Sequence, residues 1–153
     1  MNWDKFVSDF IHISIAFLLA LPIGWDQERE SKSAGLRTFP LISAASCGYM
    51  LIAIRVLSDS SDAQSVVIEG LIAGIGFICG GAIFKEGATV RGTVTAASLF
   101  NTGAIGAAVA YRRYEVALVL SLINFFTLFL RLFKRRPPEP PVVSTDDDDD
   151  DDD

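Results

Sequence analysis

The chain has 153 residues, enough for one domain, and half of them are hydrophobic. Its formal net charge of −6 is set by eight aspartates at 146–153; without them 13 basic residues face 11 acidic ones, so the low pI says nothing about partners of the body. Two cysteines and one histidine exclude a conventional structural zinc site, and no nucleic-acid partner is expected.

The apolar residues gather into five runs rather than amphipathic stripes, at residues 6–25, 39–57, 66–84, 93–111 and 115–133. Each is close to the ~20 residues that cross a ~30 Å hydrocarbon core. Short links join them, so the expected fold is all-α: a polytopic bundle of about five transmembrane helices over residues 1–136. A Pro-rich and poly-Asp tail, 137–153, follows and is expected to be disordered.

The first run holds Asp9 and His12, three residues apart and so on one helix face, and reads as an interfacial pair. Asp4 beside Lys5 and the charges that follow Gly24 mark this run as a retained helix rather than a signal peptide. Pro22 and Gly24 precede Asp26, which opens the longest loop, 26–38. Cys47 in the second run and Cys79 in the third behave as small hydrophobes.

The third run carries Glu69 about one turn from its start, then two small-xxx-small spacings, Gly70/Gly74 and Gly76/Gly80, and Gly81. In lipid such residues let helix backbones approach closely. They read as tight central helices of the bundle, or else as the flank of a pathway or of a self-association seam. Gly74-x-Gly76-x-x-x-Gly80 lacks the preceding strand of a nucleotide fingerprint. After a tight loop at 85–92, the fourth run repeats the theme with Gly103 and Gly106, and places Thr95 and Asn101 among small residues. Asn124 lies midway in the fifth. Ionisable and amide side chains at such depth are either functional or interhelical hydrogen-bond anchors.

Five crossings put nine basic residues on one side, among them Arg37, Lys85, Arg91 and residues 134–136, and four on the other. The positive-inside rule then sets the N-terminus outside and the C-terminus in the cytoplasm. On the cytoplasmic side, Asp26 with Glu86, or with Glu28 and Glu30, offers the carboxylates that Mg2+ accepts. The alternative is that Asp26–Arg37 and Glu86–Arg91 are structural ion pairs.

Three motifs resemble the MgtC/SapB family of bacterial inner-membrane proteins. The first is Ile23-Gly24-Trp25-Asp26 followed by Ala34-Gly35-Leu36-Arg37-Thr38. The second is Gly74-Ile75-Gly76-Phe77 and Gly80-Gly81-Ala82-Ile83, then Glu86-Gly87 and Val90-Arg91-Gly92; the third is Thr95-Ala96-Ala97-Ser98-Leu99-Phe100 with Ile105-Gly106. The departures are Asp26 where the family usually has Glu, Gln27 where a basic residue often follows, Phe100 where Trp is common, and Glu69 where a small or neutral residue is expected. The sequence stops after the fifth run, so it resembles a short form without the C-terminal cytoplasmic domain.

The resemblance implies an inner-membrane protein of adaptation to low Mg2+, acting in Mg2+ transport or homeostasis. The alternative it implies is a non-transporting regulator that binds and restrains a partner such as the F-type ATP synthase. Candidate functional or ion-pathway residues are Asp26, Arg37, Thr38 and Glu86, with Arg91, Thr95, Asn101 and Glu69; Asp26 and Glu86 are the metal candidates. Expected partners are the lipid bilayer, a second copy through the Gly-rich helices, and another membrane protein. No catalytic set is present, so no enzyme activity is expected, and no cofactor beyond Mg2+ as ligand or substrate.

Overall fold

Five α-helices follow the five apolar runs: α1 (Trp3–Glu30), α2 (Thr38–Val56), α3 (Ser61–Gly81), α4 (Thr93–Ala110) and α5 (Tyr114–Leu130). The structure, a computed structural model, describes residues 3–30, 35–58, 61–86 and 89–130, without the side chains of 29, 30, 86 and 89. The tail expected at 137–153 and the last residues of the fifth run, 131–133, lie outside the described residues. The first four helices are long and apolar enough to span a membrane, and α5 is a 17-residue apolar helix. Large side chains such as Phe10, Leu41, Phe77 and Phe126 are exposed on the bundle's outside, as contact with lipid tails requires.

Helices α1, α2, α4 and α5 pack around one another, while α3 leans on α2 and α4 from outside. The core they share includes Ile23, Phe39, Met50, Leu99, Ile105 and Val109. α4 is central: Thr95, Leu99, Thr102, Ile105 and Val109 are all buried. Gly106 makes this possible, since a Cβ there would overlap the Ser43 carbonyl oxygen of α2. By contrast α3 buries only Ile75 and Cys79.

Four boundaries differ from the sequence expectation by three residues or more, the first being the start of α1, at Trp3 rather than residue 6. α1 continues five residues beyond Trp25, so Asp26, Gln27 and Glu28 are helical rather than part of a loop. Gln, Glu and Arg propagate a helix well, and Pro22 interrupts without ending it. α3 starts at Ser61 and stops at Gly81, where Gly80-Gly81 ends the apolar run early.

The tight loop that follows is a two-stranded antiparallel hairpin, β1 (Phe84–Glu86) and β2 (Thr89–Arg91), with Phe84 opposite Arg91 and Lys85 opposite Val90. Gly92 then turns the chain into α4 with φ 87°, a left-handed conformation. A Cβ at Gly92 would also collide with the Ala82 carbonyl oxygen, so the hairpin closes tightly over its own stem.

Candidate functional site

Alternation of the helices brings the C-terminal ends of α1 and α3, the hairpin, and the N-terminal ends of α2 and α4 to one end of the bundle. Asp26, Arg37, Thr38, Glu86, Arg91 and Thr95 therefore all belong to this hairpin end. Within it Thr95 and Gln27 are the buried pair: Thr95 Oγ1 donates to Gln27 Oε1 at 3.4 Å, with Gln27 only 1% exposed. Gln27 carried no functional expectation. The signal that marks it is its position one helical turn beyond Ile23, itself fully buried.

The paired glycine motifs have a local explanation. Glu28 reaches across the turn into α2 and accepts the Leu36 N–H at 2.7 Å. Gly35 leaves room for that carboxylate, since a Cβ on Gly35 would overlap Glu28 Oε2. Gly24 lets the same turn lie against α1, with Leu36 Cα 3.1 Å from where a Cβ would stand. The carboxylate sits just before the N-terminus of α2, where the helix dipole favours negative charge.

Glu28 is thus committed to the backbone and, two positions from Asp26, points to a different side of α1. Among the described residues no group of three or more His, Cys, Asp or Glu side chains converges as a metal site. The Glu86 side chain, and with it the Asp26–Glu86 metal pair and the Glu86–Arg91 ion pair, lies outside the described residues. The Asp26–Arg37 ion pair is not formed; Arg37 is exposed at the N-cap of α2.

Deeper in the bundle, polar side chains serve the helix seams. Asn101 Nδ2 donates to the Leu120 carbonyl at 3.0 Å, and Asn124 Nδ2 to the Ser98 carbonyl at 3.3 Å. Ser43 donates to Ala16 O at 2.8 Å and Ser121 to Leu19 O at 2.7 Å. The Cys79 thiol lies 3.2 Å from Ala96 O, joining α3 to α4.

At the opposite end the expected Asp9–His12 pair is replaced by two contacts to other helices. Arg55 of α2 makes a two-pronged ion pair with Asp9 and donates to Lys5 O at 3.3 Å. His12, 6% exposed, is held by the Ser8 carbonyl at 2.6 Å on Nδ1 and by the Tyr114 hydroxyl at 2.9 Å on Nε2. Helix periodicity placed Asp9 and His12 on one face, but neighbouring helices, the antiparallel α2 and the parallel α5, offered each a different partner.

The glycines divide in two. Gly103 and Gly106 are buried contacts, a Cβ on Gly103 overlapping Ile75. Gly70, Gly74, Gly76, Gly80 and Gly81 were expected to pack centrally; a Cβ on any of them would meet no atom within 4 Å. The reason is the position of α3 outside the other four helices. An apolar groove of about 510 Å³ opens between α2 and α3, with Ser46, Tyr49, Gly70 and Gly74 among its walls.

The fold and the lipid-facing surface define a polytopic helical membrane protein. A family model, MgtC family, matches residues 13–136, and the chain belongs to that family. It is 36% identical over 106 residues to protein MgtC of Brucella abortus, covering 69% of this chain and 44% of that protein. Protein SrpB of Synechococcus elongatus is 32% identical over 136 residues, 78% of this chain and 75% of that one. Protein MgtC of Salmonella typhimurium is 30% identical over 113 residues, 74% of this chain and 48% of the other. The chain thus matches less than half the length of these MgtC relatives. No solved structure matches it.

Proposed function

We propose that this MgtC-family protein serves Mg2+ homeostasis at the bacterial inner membrane by binding and restraining another membrane protein. The observation that carries this reading is where the interior polar groups are spent. Asn101, Asn124, Ser43 and Ser121 each donate to a backbone carbonyl of a neighbouring helix. A Mg2+ ion passing through needs several oxygens converging around it, together with the waters it keeps. Side chains distributed along seams lock helices together and leave recognition to the outer surface.

The Mg2+ connection, and the F-type ATP synthase as the class of partner, come from the family resemblance. In this reading the hairpin end faces the cytoplasm, consistent with nine basic residues on that side against four. No catalysis and no cofactor are involved. Transport is the second reading, favoured by one observation: the buried Thr95–Gln27 contact lies at the hairpin end, next in the chain to Asp26. It would make those residues the mouth of a path.

The test is Mg2+ entry into proteoliposomes containing folded, inserted protein. The expected result is uptake equal to that of empty vesicles. Saturable uptake that Asp26→Asn abolishes would overturn the binding reading in favour of transport.

A further inference from the structure

Glu69 lies on the outward side of α3, exposed, within the apolar sequence Val66-Val67-Ile68-Glu69-Gly70-Leu71-Ile72. Its depth can be set from a neighbouring contact. Gln64 Nε2 donates to Leu57 O at 2.9 Å, which places Gln64 level with the end of α2. Five residues further along α3, Glu69 is about 7.5 Å deeper in the bundle. Because α3 begins at Ser61, it stands a full two turns inside the helix rather than the single turn expected from the apolar run.

Among the described residues Glu69 has no hydrogen-bond or ion-pair partner. Asp9, the other acid embedded at this end, is matched by Arg55. A carboxyl group in hydrocarbon is costly whether charged or neutral, and such groups are normally turned toward protein or water. Ala73, Gly76 and Gly80 follow Glu69 at i+4, i+7 and i+11, all exposed and on the same face. Together they give a carboxyl acceptor at the head of a strip where a second backbone can come close.

Resting on the binding reading above, we infer that this α3 face receives a transmembrane helix of another protein carrying a hydrogen-bond donor, Arg, Lys or Gln, level with Glu69. Charge complementarity selects that occupant. A second copy related by a two-fold axis along this strip would oppose Glu69 to Glu69, two like acceptors, so it is the poorer match. The α2–α3 groove is on a different side of α3 and takes no part.

The probe is a 21-residue polyleucine transmembrane peptide with a single Arg, Gln or Leu at the level of Glu69. Its association with the full-length protein in liposomes is read by energy transfer between a dye on the peptide and one on the protein. The Arg and Gln peptides are expected to bind about five- to thirtyfold more tightly than the Leu peptide, the range of an interhelical hydrogen bond in model peptides. Glu69→Leu should remove that preference, Glu69→Gln should keep it for the Gln peptide, and Gly76→Leu should weaken binding of all three. These changes are on the lipid side, so helix content should be unchanged.

Equal binding of the Arg and Leu peptides, or a preference that survives Glu69→Leu, would overturn the inference. Glu69-dependent transfer between two labelled copies of the protein, stronger than to the Arg peptide, would also overturn it by assigning the face to self-association. Neither result bears on Mg2+ uptake, so this face can fail while the binding reading stands.

Discussion

Asn101 and Asn124 clasp α4 and α5 reciprocally: each amide donates to a backbone carbonyl on the other's helix, Asn101 to Leu120 and Asn124 to Ser98. The Ser98 carbonyl also accepts from Thr102 Oγ1 at 2.7 Å, so one acceptor ties two side chains into the seam. The clasp gives both amides a role in holding α4 against α5.

Replacing either amide should loosen the seam without unfolding the bundle. Asn124→Leu and Asn101→Leu are each expected to cost about 0.6–1.7 kcal/mol, the scale of hydrogen bonds between membrane helices. Reversible unfolding in bicelles would measure it. Asn124 is the more buried of the two, so it should show the larger loss.

The two classes of glycine should respond in opposite directions to one added methyl. Gly106→Ala presses on the Ser43 carbonyl and is expected to destabilise by about 1–3 kcal/mol. Gly74→Ala meets open space and should be neutral or stabilising by up to about 1 kcal/mol, because Ala is the better helix former. The same unfolding assay reads both.

Glu28 ties the turn before α2 to α1 through the Leu36 N–H, and Gly35 makes the approach possible. Glu28→Ala should cost about 1 kcal/mol, the scale of one intramolecular hydrogen bond, and should increase amide hydrogen exchange at Leu36. Glu28→Gln, which keeps an acceptor oxygen, should retain much of the protection.

Tyr114 joins α5 to α1 through His12. Tyr114→Phe keeps the ring packed near the imidazole, whose centroid lies 6.0 Å away, but leaves His12 Nε2 without its hydroxyl. The expected loss is about 1 kcal/mol. In the nuclear magnetic resonance spectrum the His12 ring signals should shift, whereas Asp9→Asn, which acts on the Arg55 pair, should leave them in place.

Much of the architecture was legible because lipid imposes a simple rule: backbone polar groups must pair within the helix, so spans appear as uninterrupted apolar runs. Five such runs appear as five helices, and the three motif blocks identify the family. Lipid-facing and helix-facing positions are both apolar, however, so the runs carry little information on rotation or neighbours. The glycine-rich α3 therefore reads as central when it is peripheral, and Asp9 and His12 read as a pair when each binds a different helix. Boundaries drifted where polar helix formers extend an apolar run, as at Asp26–Gln27–Glu28.

The sequence by itself determined the class, the family and the order of the spans, since these follow from local hydropathy and motif spacing. Tertiary structure alone decided which polar groups are already paired. It spent the asparagines on the α4–α5 seam, Glu28 on the α2 turn and Asp9 on Arg55, and left Glu69 facing outward. Those outcomes depend on which helices become neighbours, and that is set by close approach at positions such as Gly106, invisible in hydropathy alone.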